Sequence, residues 1–212
     1  MDAYVVAAKR TANTRAKKGG FRFTRPDDFA TEVIKGLVKE VPGLENKMGD
    51  DLFLGKVVQG AEQGMQMGRM IALMALGIDN AGMVINRYCG SGIEAIHIAS
   101  AKVQAGMADC IIAGGTESMS LVPVMGWRTV LNYTVAKDNP TYYTSMGLTA
   151  EQVAAQYKIS REAQDTFDYE SHMKAIQAQK EGKFREEIVP VTTREIFVDK
   201  DGKKKTREFV VD

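Results

Sequence analysis

Three features of this 212-residue sequence predict an α/β fold: short, almost wholly apolar runs, amphipathic stretches between them, and glycines or prolines where one gives way to the other. Ala3 to Ala8 reads as a buried strand. Pro26, Asp27 and Asp28 open a helix in which Phe29, Val33 and Leu37 recur every fourth residue, and Pro42 with Gly43 closes it. Leu52 to Val58 is a second strand, Met67 to Leu76 a second helix, and Met83 to Asn86 a third strand leading straight into Cys89. A helix from about Ser91 to Ala105 follows and Gly106 ends it. Cys110 to Ala113 is then a short apolar strand finishing at Gly114 and Gly115.

After Ser120 the periodicity is lost through Pro123, Trp127, Tyr133, Pro140, Tyr142 and Tyr143, as in a long loop or insertion. Regularity returns at Thr149, which with Gln152 has the spacing of a capping box, Leu148 and Val153 being placed as its hydrophobic staple. Ser160 is the expected cap of a longer helix running to Gly182. Ile188 to Val191 and Glu195 to Val198 read as strands, Asp199 to Gly202 as a turn, and Thr206 to Val211 as the last strand.

Composition narrows the classes. An apolar fraction of 44% and a charged fraction of 26% describe a globular chain able to bury a core. A net charge of +1 gives no surplus for a dedicated nucleic-acid binder, so no nucleic-acid partner is expected. Lys203, Lys204, Lys205 and Arg207 form either a local cationic patch or the solvated edge of a hairpin. Only Cys89 and Cys110 are present and they share no CxxC spacing, so a disulfide framework is excluded and a reducing, cytoplasmic setting is expected. Met1 to Ala8 is too short for a secretory signal or a membrane span, and no span is expected elsewhere.

The chemistry concentrates in Asn86-Arg87-Tyr88-Cys89-Gly90-Ser91-Gly92, between an apolar strand and a helix. The unpaired N–H groups of a first helical turn, together with the helix dipole, stabilise a thiolate placed there. Gly90 and Gly92 let backbone and substrate come close to the sulfur, which a tetrahedral adduct requires. On this pattern alone Cys89 is either a nucleophile or a buried structural cysteine. Gly90-Ser91-Gly92-Ile93-Glu94-Ala95 also fits a G-x-G-x-x-A dinucleotide fingerprint, with Glu117 after the next strand. That match is weak, because Arg87, Tyr88 and Cys89 separate the strand from the first glycine.

Further stretches carry a resemblance. Glu62-Gln63-Gly64, Asn86 to Gly92, Gln104 to Asp109, Ala113-Gly114-Gly115-Thr116-Glu117-Ser118-Met119-Ser120 and Met146 to Glu151 together resemble the thiolase family, in its order and spacing. The likeness runs from the first strand to the last residue. Phe21-Arg22, Arg25 to Asp28 and Tyr157 to Glu162 are closer to the degradative 3-ketoacyl-CoA thiolases than to the biosynthetic acetoacetyl-CoA type. The resemblance implies a thiolase-like layered α-β-α core over 1–120 that carries the cysteine, and an inserted α+β loop domain over 121–212, incomplete at its C-terminal end. It implies Cys89 as catalytic nucleophile, its backbone N–H as part of the oxyanion hole, and Met146 as a substrate-binding residue of the acyl pocket, where ordinary core is the alternative. Acyl-CoA and coenzyme A would be substrates, with no covalently bound cofactor and no metal. A homo-oligomer, dimer or tetramer, and a place in fatty acid β-oxidation follow by the same analogy.

Thiolases also use a histidine and a second cysteine from the family's C-terminal half, which this sequence does not reach. His97 lies two turns along the helix after Cys89, about 12 Å away, too far to take its proton, and is expected to be a packed helix residue. His172 falls in the later long helix, and Cys110 has the setting of a structural cysteine. The isolated chain is therefore expected to be inactive, a truncated product or one piece of a split enzyme. Two alternatives stand beside this: a non-catalytic acyl-CoA-binding or oligomer-forming module, and a relative that condenses acyl chains.

Overall fold

The computed structural model describes residues 2–44 and 49–212. They form two compact units, one of Met1–Trp127 with Glu187–Asp212 and one of Arg128–Glu186. The C-terminal hairpin, placed by sequence with the segment after 121, is thus compact with the first unit.

The first unit is built on a parallel sheet of β1 (Asp51–Gly55), β2 (Met83–Ile85) and β3 (Ile111–Gly115), in the order β2-β1-β3. The crossovers are helical: α2 (Met67–Ala75) joins β1 to β2 and α3 (Ser91–Gln104) joins β2 to β3. Strand alternation sorts the core into layers. Leu52 and Leu54 face Ile34 of α1 (Pro26–Glu40) and Ile71, Ala72 and Ala75 of α2, while Phe53 faces Ala95 and Ala99 of α3 on the other side. This is the layered α-β-α arrangement. A hairpin of β4 (Val191–Val198) and β5 (Lys204–Val211) adds a small core of Phe21, Phe29, Val191 and Val211. The expected break between Ile188–Val191 and Glu195–Val198 is absent, because the ladder with β5 is continuous from Val191 to Val198. The basic run belongs to this hairpin: Lys205 pairs with Asp199 at 2.9 Å and Arg207 with Glu195 at 2.8 Å.

Ala3 to Ala8 does not form the expected strand. Tyr4, Val5 and Val6 are exposed, and the first bridge is at Arg10, opposite Ile188. An apolar run becomes a strand only where a sheet edge supplies its hydrogen-bond partners, and among the described residues none pairs with this one.

The second unit holds α4 (Tyr133–Asp138), α5 (Met146–Tyr157) and α6 (Arg161–Lys180). The segment read as a loop therefore contains a short helix, capped by Asn132, whose side chain accepts from Val135 N. α5 starts earlier than Thr149: Ser145 is the cap, accepting from Leu148 N at 3.4 Å, and Thr149 sits inside the first turn with its hydroxyl donated back to Ser145 O. Leu148 and Val153 are both exposed, so no staple forms. Ser160 caps α6 through Ala163 N as expected, and Gly182 lies just past its end in the left-handed region. Among the described residues no helix is long and apolar enough to cross a membrane.

Candidate active site

Cys89, Lys56, Gln63 and Glu117 lie towards the carboxyl ends of the parallel strands, where open α/β sheets bind ligands. β1 ends at Gly55 against the start of α3. A Cβ at Gly55 would stand 2.5 Å from the Ser91 carbonyl carbon and oxygen and 2.6 Å from Gly92 N, so only glycine allows this approach. The close packing brings the amino end of α3 up to the strand end.

The turn between β2 and α3 is tight. Tyr88 takes the left-handed conformation, φ 47°, a costly setting for an aromatic residue and one that clusters at functional sites. Ser91, buried at the head of α3, holds the turn from inside: its hydroxyl oxygen accepts from Arg87 N at 2.8 Å and its hydroxyl donates to Tyr88 O. Gly90 N and Ser91 N donate to Arg87 O and Tyr88 O, both at 3.0 Å. Arg87 reaches across to Glu94 at 3.3 Å. The outcome is that Cys89, the residue before the Gly90 cap, is an exposed free thiol next to the amino end of a 14-residue helix.

Behind the turn lies a buried polar cluster. Lys56 and Gln63 are each 1% exposed, and the Lys56 ammonium donates to Gln63 O and lies 3.7 Å from the Met67 sulfur. Burial pushes Lys56 down to about 8, against the opposing pull of Glu117 and then Asp27. The Glu117 carboxylate accepts from Val57 N at 2.7 Å and from the Gln63 side chain, whose own oxygen accepts from Ser118 N at 2.6 Å. Glu117 is therefore committed to the loop after β1. Ala61, Met65 and Gln66 in that loop also have positive φ, which, among the described residues, places four of the six left-handed non-glycine residues beside the strand ends. Lys56 and Ser91 were not singled out by sequence. A lysine inside the apolar run Leu52 to Val58 was the available signal for a buried polar group.

The other sequence candidates lie elsewhere. His97 is exposed on α3, not packed as expected, because the buried face of that helix is taken by Ala95 and Ala99. His172 is exposed on α6, with Asp168 3.7 Å away. Cys110 is half-buried just before β3, where burial and then Asp50 push its thiol up, a setting that suppresses the thiolate. Met146 is the first residue of α5 in the second unit and is 70% exposed, so it is not core.

Residues 3–209 match the family model described as "Thiolase, N-terminal domain". The chain belongs to the thiolase family. Among its relatives, a "3-ketoacyl-CoA thiolase" of Bacillus subtilis is 44% identical over 99% of this chain and 54% of its own length. Another of the same name from Aliivibrio salmonicida is 39% identical over 88% and 48%. A crystal structure of the Bacillus anthracis acetyl-CoA acetyltransferase superposes with a TM-score of 0.79 at 30% identity, over 98% of this chain and 53% of that one. The chain thus spans about half the length of the relatives it matches, and the layered thiolase-like fold is the one seen.

Proposed function

We propose that this chain is the nucleophile-bearing half of a 3-ketoacyl-CoA thiolase, with Cys89 as the attacking group. The observation that carries the reading is the placement of Cys89: an exposed thiol on a strained strand-to-helix turn at the amino end of α3, built from the motif that resembles the family's. The positive end of a helix favours negative charge placed beside it.

In the reaction, the Cys89 thiolate adds to the keto carbon of a 3-oxoacyl-CoA. The bond between that carbon and its neighbour breaks, and its electron pair takes a proton to give acetyl-CoA. The acyl group stays on sulfur as a thioester; coenzyme A then attacks that carbonyl and Cys89 leaves. The backbone N–H of Cys89 contributes to the hole that receives the oxyanion, coenzyme A and its thioesters are substrates, and Met146 borders the acyl chain. The histidine and second cysteine that the family uses for proton transfer are supplied by the family's C-terminal half. The organisation into a core that carries the cysteine and an inserted loop domain, cytoplasmic β-oxidation and assembly into a dimer or tetramer belong to the same reading.

The test is intact-mass detection of an acyl adduct after exposure to acetoacetyl-CoA. An adduct confined to Cys89 and absent from Cys89→Ser supports the reading. A chain that binds acyl-CoA yet alkylates at Cys89 no faster than free cysteine at neutral pH is the non-catalytic module instead.

A further inference from the structure

The loops after all three strands are tied together by the backbone of one residue, Val57. Its N–H is held by Glu117, just past β3, at 2.7 Å, and its C=O accepts from the side-chain amide of Asn86, just past β2, at 2.7 Å. The Asn86 side-chain oxygen in turn accepts from Tyr88 N at 3.0 Å. One short side chain therefore bridges the fixed end of β1 to the residue held at φ 47°, immediately before Cys89. The amide has to be oriented this way, since only its NH2 can donate to a carbonyl and only its oxygen can accept from an N–H. Because Glu117 is itself braced by Gln63, the Val57 carbonyl is a fixed anchor and not a loop atom free to follow the turn.

We propose that Asn86 is a positioning residue for Cys89: it locks Tyr88 in the left-handed conformation against Val57, and so sets the sulfur at the amino end of α3. This rests on the reading of Cys89 as nucleophile. Asn86 touches neither the sulfur nor, in this role, the substrate; it acts through the turn. A side chain that lost either bond would leave Tyr88 free to relax towards negative φ, and the next residue would swing away from the helix end.

The isosteric Asn86→Asp removes the donor to Val57 O and keeps the acceptor for Tyr88 N, whereas Asn86→Ala removes both. Iodoacetamide labelling of the full chain, with the Cys89 and Cys110 peptides quantified separately by mass spectrometry, gives the rate at Cys89 at about pH 7 and about pH 10. For wild type we expect the pH 7 rate to exceed that of free cysteine. Both variants should lose about tenfold at pH 7 while converging with wild type at pH 10, with circular dichroism and Cys110 labelling unchanged. Wild-type labelling no faster than free cysteine would sink the nucleophile reading and leave Asn86 nothing to position. Fast wild-type labelling matched by both variants, or loss of folding in both, would overturn the positioning role alone, the latter because it marks a purely structural residue.

Discussion

Lys56 is the residue whose chemistry departs furthest from its ordinary behaviour. Its pKa of about 8 in the folded chain, against 10.5 for an unconstrained lysine, means that the unfolded chain binds more protons between these values. The sign follows: the buried charge opposes folding fully below about 8, and that opposition is relieved as pH climbs towards 10.5. The Cys110 thiol, pushed up by burial, works in the opposite direction at alkaline pH, so the informative quantity is a difference. Denaturant titrations of wild type and Lys56→Met should show the wild type gaining stability relative to the variant across that interval; parallel curves would contradict the shift. The residue scale is also where sequence was most informative about the site. Cys89 drew attention by its place between an apolar strand and a glycine-rich helix start, and the resemblance of the surrounding motifs favoured a nucleophile over a buried structural cysteine. Ser91, by contrast, does its work with one hydroxyl turned inward onto Arg87 and Tyr88, and serines at helix starts are too common for that role to be read from a string.

At the scale of elements, the junction between β1 and α3 decides the site's geometry. Gly55→Ala would set a methyl group against the Ser91 carbonyl and Gly92 N, backbone atoms that cannot turn aside. We expect a loss of about 1–3 kcal/mol in thermal or denaturant unfolding, with slower labelling of Cys89 as α3 is pushed off the strand end. An unchanged midpoint and rate would mean the sheet absorbs the methyl elsewhere. The strands and helices around this junction were legible because their burial is one-sided and periodic: Leu52, Phe53 and Leu54 alternate between two helical layers, as an apolar run in a parallel sheet must. Two elements were not legible for physical reasons. Thr149 with Gln152 matched a capping box, but Ser145 four residues earlier offers a free hydroxyl to Leu148 N, and a helix begins at the first competent cap. Ala3 to Ala8 has strand composition, yet strand pairing is a property of two segments, and composition describes only one.

At the scale of the molecule, much apolar surface is open, including Tyr88, Ile93 and Ile96 near the head of α3 and Met65 in the loop after β1. Exposed apolar side chains of this size are what a covering protein surface would bury. Mixing the chain with a separately produced C-terminal half of a thiolase should restore thiolysis of acetoacetyl-CoA, with a fall in the fluorescence of a dye that reports exposed apolar surface. Cys89→Ser should keep the fall in fluorescence and lose the thiolysis. Association without turnover by the wild-type pair would count against this chain as the nucleophile-bearing half.

Val57 joins the three loops through its main-chain N–H and C=O alone. Those two bonds ask nothing of the side chain at position 57, while proline, which has no N–H to offer Glu117, is barred there. A saturation library screened for function would register the loss of proline at 57, a main-chain requirement that a comparison of side-chain sizes and polarities there would miss.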